Sequence, residues 1–83
     1  MSMTLYASNL PFTTTEEMLA SKFESFGCVL SVRLERDANG ASRRSAFVEM
    51  ETGAAAQRAI EAMHLSTVEG RVVSVYSALR ASK

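Results

Sequence analysis

Period-two alternation of apolar and polar residues marks the strands of this chain, and a helical period marks the segments between them. Leu5 and Ala7 fall on one side of a first strand running from about Thr4 to Ser8, with Tyr6 on the other side, and Asn9-Leu10-Pro11 ends it. Thr14-Thr15-Glu16-Glu17 then offers an N-cap at Thr14 with Glu17 three residues on, a capping-box pattern. Leu19, Phe23 and Phe26 follow as one apolar stripe, and Gly27 supplies the helix stop. Leu30, Val32 and Leu34 alternate with Ser31, Arg33 and Glu35, which predicts a half-buried strand. Asp37-Ala38-Asn39-Gly40 reads as a turn, with Asn-Gly its strongest signal. The third strand runs from about Arg44 to Glu51, with Ala46 and Val48 facing inward and Phe47 outward. Thr52 or Gly53 opens a second helix whose buried face is Ala56, Ala59, Ile60 and Met63. Gly70 precedes the last strand, where Val73 and Val75 point inward and Val72, Ser74 and Tyr76 outward.

The order of elements is βαββαβ, an α+β arrangement of the ferredoxin-like split type. It predicts a four-stranded antiparallel sheet with two helices on one face and the other face open. No repeat, linker or low-complexity segment interrupts it, so residues 3–79 are read as a single domain and 80–83 as a C-terminal tail.

Composition adds bounds. The chain has 83 residues, 47% of them hydrophobic, so one small soluble domain and a monomer are expected. A chain this short buries only about 60–65% of its unfolded surface, which demands an efficient core. No apolar run approaches the ~20 residues that span a bilayer, and no basic-then-apolar leader opens the sequence. With the single Cys28, which allows no internal disulfide, this predicts an intracellular location, with nucleus, cytoplasm and organelle all open. One cysteine and one histidine exclude zinc-finger-type ligation, and neither a metal nor a cofactor is expected. His64 has no nearby nucleophile, no paired carboxylates form a plausible site, and there is no glycine-rich phosphate loop, so the chain is not expected to be an enzyme.

The formal net charge is zero, but its distribution matters more than its sum. Arg33, Arg36, Arg43, Arg44, Arg71, Arg80 and Lys83 fall on strands, adjoining loops or the tail, whereas only Lys22 and Arg58 fall on helices. Glu16, Glu17, Glu24 and Glu61 load the helical side with negative charge. Glu35, Asp37 and Glu49 dilute the other side, which is expected to be mildly positive.

Two strands therefore place a large ring, Tyr6 and Phe47, on the face turned away from the core. Flat exposed rings in pairs are suited to stacking against flat ligands, above all nucleobases. The segment Leu5-Tyr6-Ala7-Ser8-Asn9-Leu10 resembles the shorter signature of the RNA-recognition motif at each diagnostic position. Arg43-Arg44-Ser45-Ala46-Phe47-Val48-Glu49-Met50 resembles the longer one, basic-Gly-aromatic-Gly/Ala-aromatic-Val-any-aromatic. Arg43, Ala46, Phe47 and Val48 match it, Arg44 replaces the glycine, and Ser45 and Met50 replace aromatics. Met50 points into the core and fills space well. Ser45 shares the parity of Phe47, so the platform is one stacking ring short and its affinity for RNA is expected to be reduced.

The resemblance implies single-stranded RNA as partner, in RNA processing or regulation, with one base stacked on Tyr6 and the next on Phe47. Arg33, Arg43 and Arg44 would contact phosphates or base edges, Asn9 and Ser45 would lie near the RNA path, and Tyr76 to Arg80 would help select sequence. Arg33 has a plainer alternative in a cross-strand pair with Glu49 or Glu35. Phe12, Phe23 and Phe26 are assigned to the core or its rim, His64 to a surface or cap position, and Cys28 to packing. A second reading stays open: a protein-interaction module in which the alanine-rich second helix, Ala54 to Ala56 with Ala59 and Ala62, receives a protein partner.

Overall fold

A computed structural model describes residues 2–78. In chain order the elements are β1 (Met3–Ser8), α1 (Glu16–Phe23) with a 3-10 turn at Glu24–Phe26, β2 (Val29–Arg36), β3 (Ser42–Met50), α2 (Gly53–Met63), β4 (Thr67–Val68), β5 (Arg71–Val72) and β6 (Ser74–Ser77). Strands β2, β3, β1 and β6 form, in that order, one antiparallel sheet. Helix α1 packs on β2, and α2 on β1 and β6. Leu5, Ala7, Ala46, Val48, Met50, Val73 and Val75 meet Leu19 and Phe23 of α1 and Ala55, Ala56 and Ala59 of α2 in one buried core. This is the ferredoxin-like βαββαβ fold, and among the described residues neither α1 nor α2 packs on the opposite face of the sheet.

The helix starts follow from side-chain caps. The Thr15 hydroxyl accepts from the Met18 N–H at 3.1 Å, so Thr15 rather than Thr14 caps α1 and no capping box forms. Thr14 is turned inward instead, its N–H donating to the Pro11 carbonyl at 3.1 Å to close the preceding turn. Glu16 and Glu17 then lie in the first turn, where the helix dipole favours carboxylates. Glu16 also accepts the Leu34 N–H at 2.9 Å, meeting a donor on the outer edge of β2. Thr52 caps α2 through the Ala55 N–H at 3.1 Å, and His64 caps its end. His64 Nδ1 accepts the Val75 N–H at 3.0 Å, which ties the end of α2 to β6.

Several expectations need correction. Leu30 is 50% exposed, because a bulge between Val29 and Ser31 makes it the extra residue and sends Val29 inward. Cys28 and Phe12 are both exposed, Phe12 at 58%. The segment before the last strand is a separate small hairpin, β4–β5, turned by Glu69 and Gly70 at φ values of 49° and 83°. Two consecutive positive φ values are what a two-residue hairpin turn requires. At the β2–β3 connection Asp37 does more than Asn39: its Oδ1 accepts the N–H groups of Asn39 and Ala41 at 2.9 and 3.0 Å. Gly40, at φ 85°, completes that turn.

Candidate nucleic-acid interface

The pleat of β1 and β3 sets the site. Leu5 and Ala7 on β1, and Ala46 and Val48 on β3, are fully buried against the helices, so Tyr6 and Phe47 must project from the face opposite α1 and α2. The register places Tyr6 directly across from Phe47 and, on its other side, from Tyr76 of β6. Ring centroids are 5.1 Å apart for Tyr6–Phe47 and 5.7 Å for Tyr6–Tyr76. Three half-buried rings thus form a row across three neighbouring strands.

Arg33 of β2 extends this row. It pairs with Phe47 in the strand register, and its guanidinium lies over the Phe47 ring at 5.1 Å from the centroid. The partner of this arginine is therefore a ring, in the manner of a cation–π contact. Arg43 is exposed at the irregular start of β3, where the register with β2 shifts between Leu34 and Arg36. Arg44, in the same irregularity, adopts φ 63°. This is the position where the longer signature has glycine, and the left-handed backbone explains why glycine suits it. The Arg44 guanidinium lies over the exposed Phe12 ring at 5.6 Å, and its carbonyl accepts the Leu10 N–H at 2.9 Å.

Ser45 differs from a simple vacancy in the row. It is 4% exposed and donates its hydroxyl to Glu35 Oε1 at 2.6 Å. The Tyr6 hydroxyl donates to the same oxygen at 3.1 Å. These contacts hold the Glu35 carboxyl below the usual carboxylate range: the Ser45 bond is the main cause, burial opposes it, and Tyr6, Arg43 and Arg33 reinforce it. Glu35 is the residue the sequence reading missed, because a lone acidic residue in an alternating strand looks like an ordinary solvated position. At the other end of Phe47, Glu49 accepts from Ser2 and Ser31 at 3.0 and 3.3 Å.

Asn9 organises the loop after β1. At φ 62°, it donates from Nδ2 to the Val72 carbonyl at 2.7 Å and accepts from Arg71 through its side-chain oxygen. Thr13 bonds Glu69 at 3.3 Å, so the loop carrying Phe12 is clamped to β3 on one side and to the β4–β5 hairpin on the other. Arg80, assigned to the site from sequence, lies outside the described residues. Structure thus brings Tyr6, Phe47, Tyr76, Arg33 and Ser45 together, with Asn9 and Arg44 engaged at the neighbouring loop.

The same fold and motif recur in known proteins. The profile of the RNA recognition motif matches residues 5–74. The putative RNA-binding protein RbpE of a Nostoc species is 38% identical over 77 residues, covering 92% of this chain and 78% of that protein. RNA binding protein fox-1 homolog 2 of Xenopus tropicalis is 39% identical over 74 residues, 89% of this chain, and the chain spans only 19% of that relative's length. The crystal structure of RNA binding protein PG1 superposes with a TM-score of 0.89 at 38% identity, covering 93% of this chain and 94% of that one. RNA recognition domains 1 and 2 of Sex-lethal from Drosophila melanogaster give a TM-score of 0.86 at 30% identity, over 92% of this chain and 49% of that one. Sequence profile, strand order and both signature strands agree: this chain belongs to the RNA recognition motif family.

Proposed function

We propose that this domain binds single-stranded RNA laid across the open face of its sheet, as part of RNA processing or regulation. The observation that carries the reading is the Tyr6–Phe47 pair, set directly opposite on adjacent strands at 5.1 Å and facing away from the helices. One base stacks on Tyr6 and the next on Phe47, each stack being of the kind worth about 1–3 kcal/mol. Tyr76 lengthens the platform, and Arg33 moves from the Phe47 ring to the incoming phosphate or base edge. Arg43 and Arg44 supply phosphate contacts at the same end, where a planar guanidinium is well matched to the oxygens. Relatives named as RNA-binding proteins support the partner class.

A protein partner on the alanine-rich helix is not favoured. Ala55, Ala56 and Ala59 are already buried against the sheet, which leaves Ala54 and Ala62 as its exposed alanines. The test is to map backbone amide shifts while titrating pools of short single-stranded RNA. Shifts are expected at Tyr6, Arg33, Phe47 and Tyr76, with α1 and α2 unaffected. Shifts confined to the helices, or none at saturating RNA, would refute the reading.

A further inference from the structure

Position 45 carries a ring in the longer signature, and here it carries a serine whose hydroxyl is committed to a carboxylate. Glu35 Oε1 receives both the Ser45 hydroxyl at 2.6 Å and the Tyr6 hydroxyl at 3.1 Å. A carboxylate has about four acceptor positions. Two are taken, and no hydrogen bond among the described residues reaches Oε2. Glu35 shares the strand parity of Arg33, so this half-used acceptor sits on the platform face, touching the tip of the ring on which a base would stack. The Ser45 bond and the neighbouring arginines favour its ionised form.

We propose that Glu35 is a guanine-reading residue, its carboxylate accepting the N1–H and N2–H groups of a guanine stacked on Tyr6. The inference rests on the RNA-binding reading above and adds base selection to it. Guanine alone presents two adjacent donors on its Watson–Crick edge, and N1–H and N2–H can converge on Oε2, the oxygen that the Ser45 and Tyr6 hydroxyls leave open. Adenine and cytosine set a single amino donor beside a ring-nitrogen lone pair, and uracil sets its N3–H between two carbonyl oxygens that a carboxylate repels. Single-stranded RNA exposes these edges for direct reading. Because two hydroxyls already hold Glu35, little side-chain freedom is lost when the base arrives, which favours discrimination. A base that cannot donate leaves the acceptor without its partner, the situation in which polar sites reject analogues most strongly. Ser45 is then the donor that fixes the reader, and the third ring has been exchanged for an acceptor.

The experiment compares three short fluorescent RNAs by anisotropy: all uridine, one guanosine in uridine, and one inosine in uridine. The parent protein is expected to bind the guanosine RNA about tenfold more tightly than all-uridine, in line with a bidentate base contact. Inosine, which keeps N1–H and lacks the N2 amino group, falls between them. In Glu35→Gln the guanosine preference collapses to near unity: the amide oxygen still accepts from Ser45 and Tyr6, but the amide N–H groups replace the acceptor that guanine needs and no longer repel the uracil carbonyls. A residue that merely positioned Tyr6 would weaken all three RNAs alike. Equal binding of the three RNAs by the parent, or a guanosine preference that survives in Glu35→Gln, would overturn the inference and leave RNA binding intact. No binding of any of them at low salt would overturn RNA binding itself. The inosine comparison needs no substitution, so the outcome does not depend on how well the variant folds.

Discussion

Arg44 holds a backbone conformation, φ 63°, that a residue with a side chain adopts at a cost of order 1–3 kcal/mol. Its guanidinium supplies the compensating use, lying over the exposed Phe12 ring, where the proposed function has it meet a phosphate. Arg44→Gly should therefore move two properties in opposite directions. Folding stability should rise by up to about 1 kcal/mol, since relief of the strain is partly offset by the greater flexibility of glycine in the unfolded chain. RNA affinity should fall, and the slope of log affinity against log salt should shrink by about 0.7, the value for one phosphate contact on a single strand. Chemical denaturation and RNA titrations at several salt concentrations check the pair. A variant that loses stability would show that Arg44 is held by packing.

At the level of elements, the approach of α1's end to α2 leaves no room for a side chain at Gly27. Gly27 follows the 3-10 turn at φ 152° and ψ −176°, a region open essentially to glycine alone. A Cβ there would lie 2.4 Å from the Ala55 Cβ. Strain and overpacking each cost about 1–3 kcal/mol, so Gly27→Ala should lose roughly 3 kcal/mol. Gly53→Ala, where a Cβ meets nothing within 4 Å, should leave stability unchanged or slightly higher. Thermal or urea unfolding of the two variants side by side measures the contrast, and equal effects would contradict it.

The same scale shows what the sequence made legible. The principal strands and both helices were readable, because Leu5/Ala7, Ala46/Val48 and Val73/Val75 alternate cleanly and Leu19/Phe23 keep the helical period. What escaped lay where one local event cancels periodicity. The bulge at Leu30 reverses parity without any glycine to announce it. The β4–β5 hairpin turns on Glu69, where asparagine or aspartate would have been the recognisable signal. Phe12 reads as core by its chemistry, yet a loop clamped by Asn9, Leu10 and Thr13 turns it outward. Within the candidate site, strand parity located Tyr6, Phe47, Tyr76 and Arg33. It also put Ser45 on the right face, but could not show that a hydroxyl there would hold Glu35, since that contact joins two strands through a register shift.

Over the whole molecule, a net charge of zero divides into two unlike sides. Glu16, Glu17, Glu24 and Glu61 are exposed on the helical side, whereas Arg33, Arg43 and Arg44 are exposed beside the rings. On the proposed reading, such a surface would attract phosphates locally without strong long-range steering, and specificity would rest on the rings and what surrounds them. No helix among the described residues is long and apolar enough to cross a membrane.

The central claim is that bases stack on the sheet, and Phe47→Ala tests it most directly. Affinity for single-stranded RNA, measured by anisotropy or calorimetry with the amide spectrum confirming the fold, should fall by about 1–3 kcal/mol, roughly five- to 150-fold. Folding should persist because Ala46 and Val48, on either side of Phe47, hold the strand in the core. A folded Phe47→Ala protein that binds RNA as tightly as the parent would contradict the account.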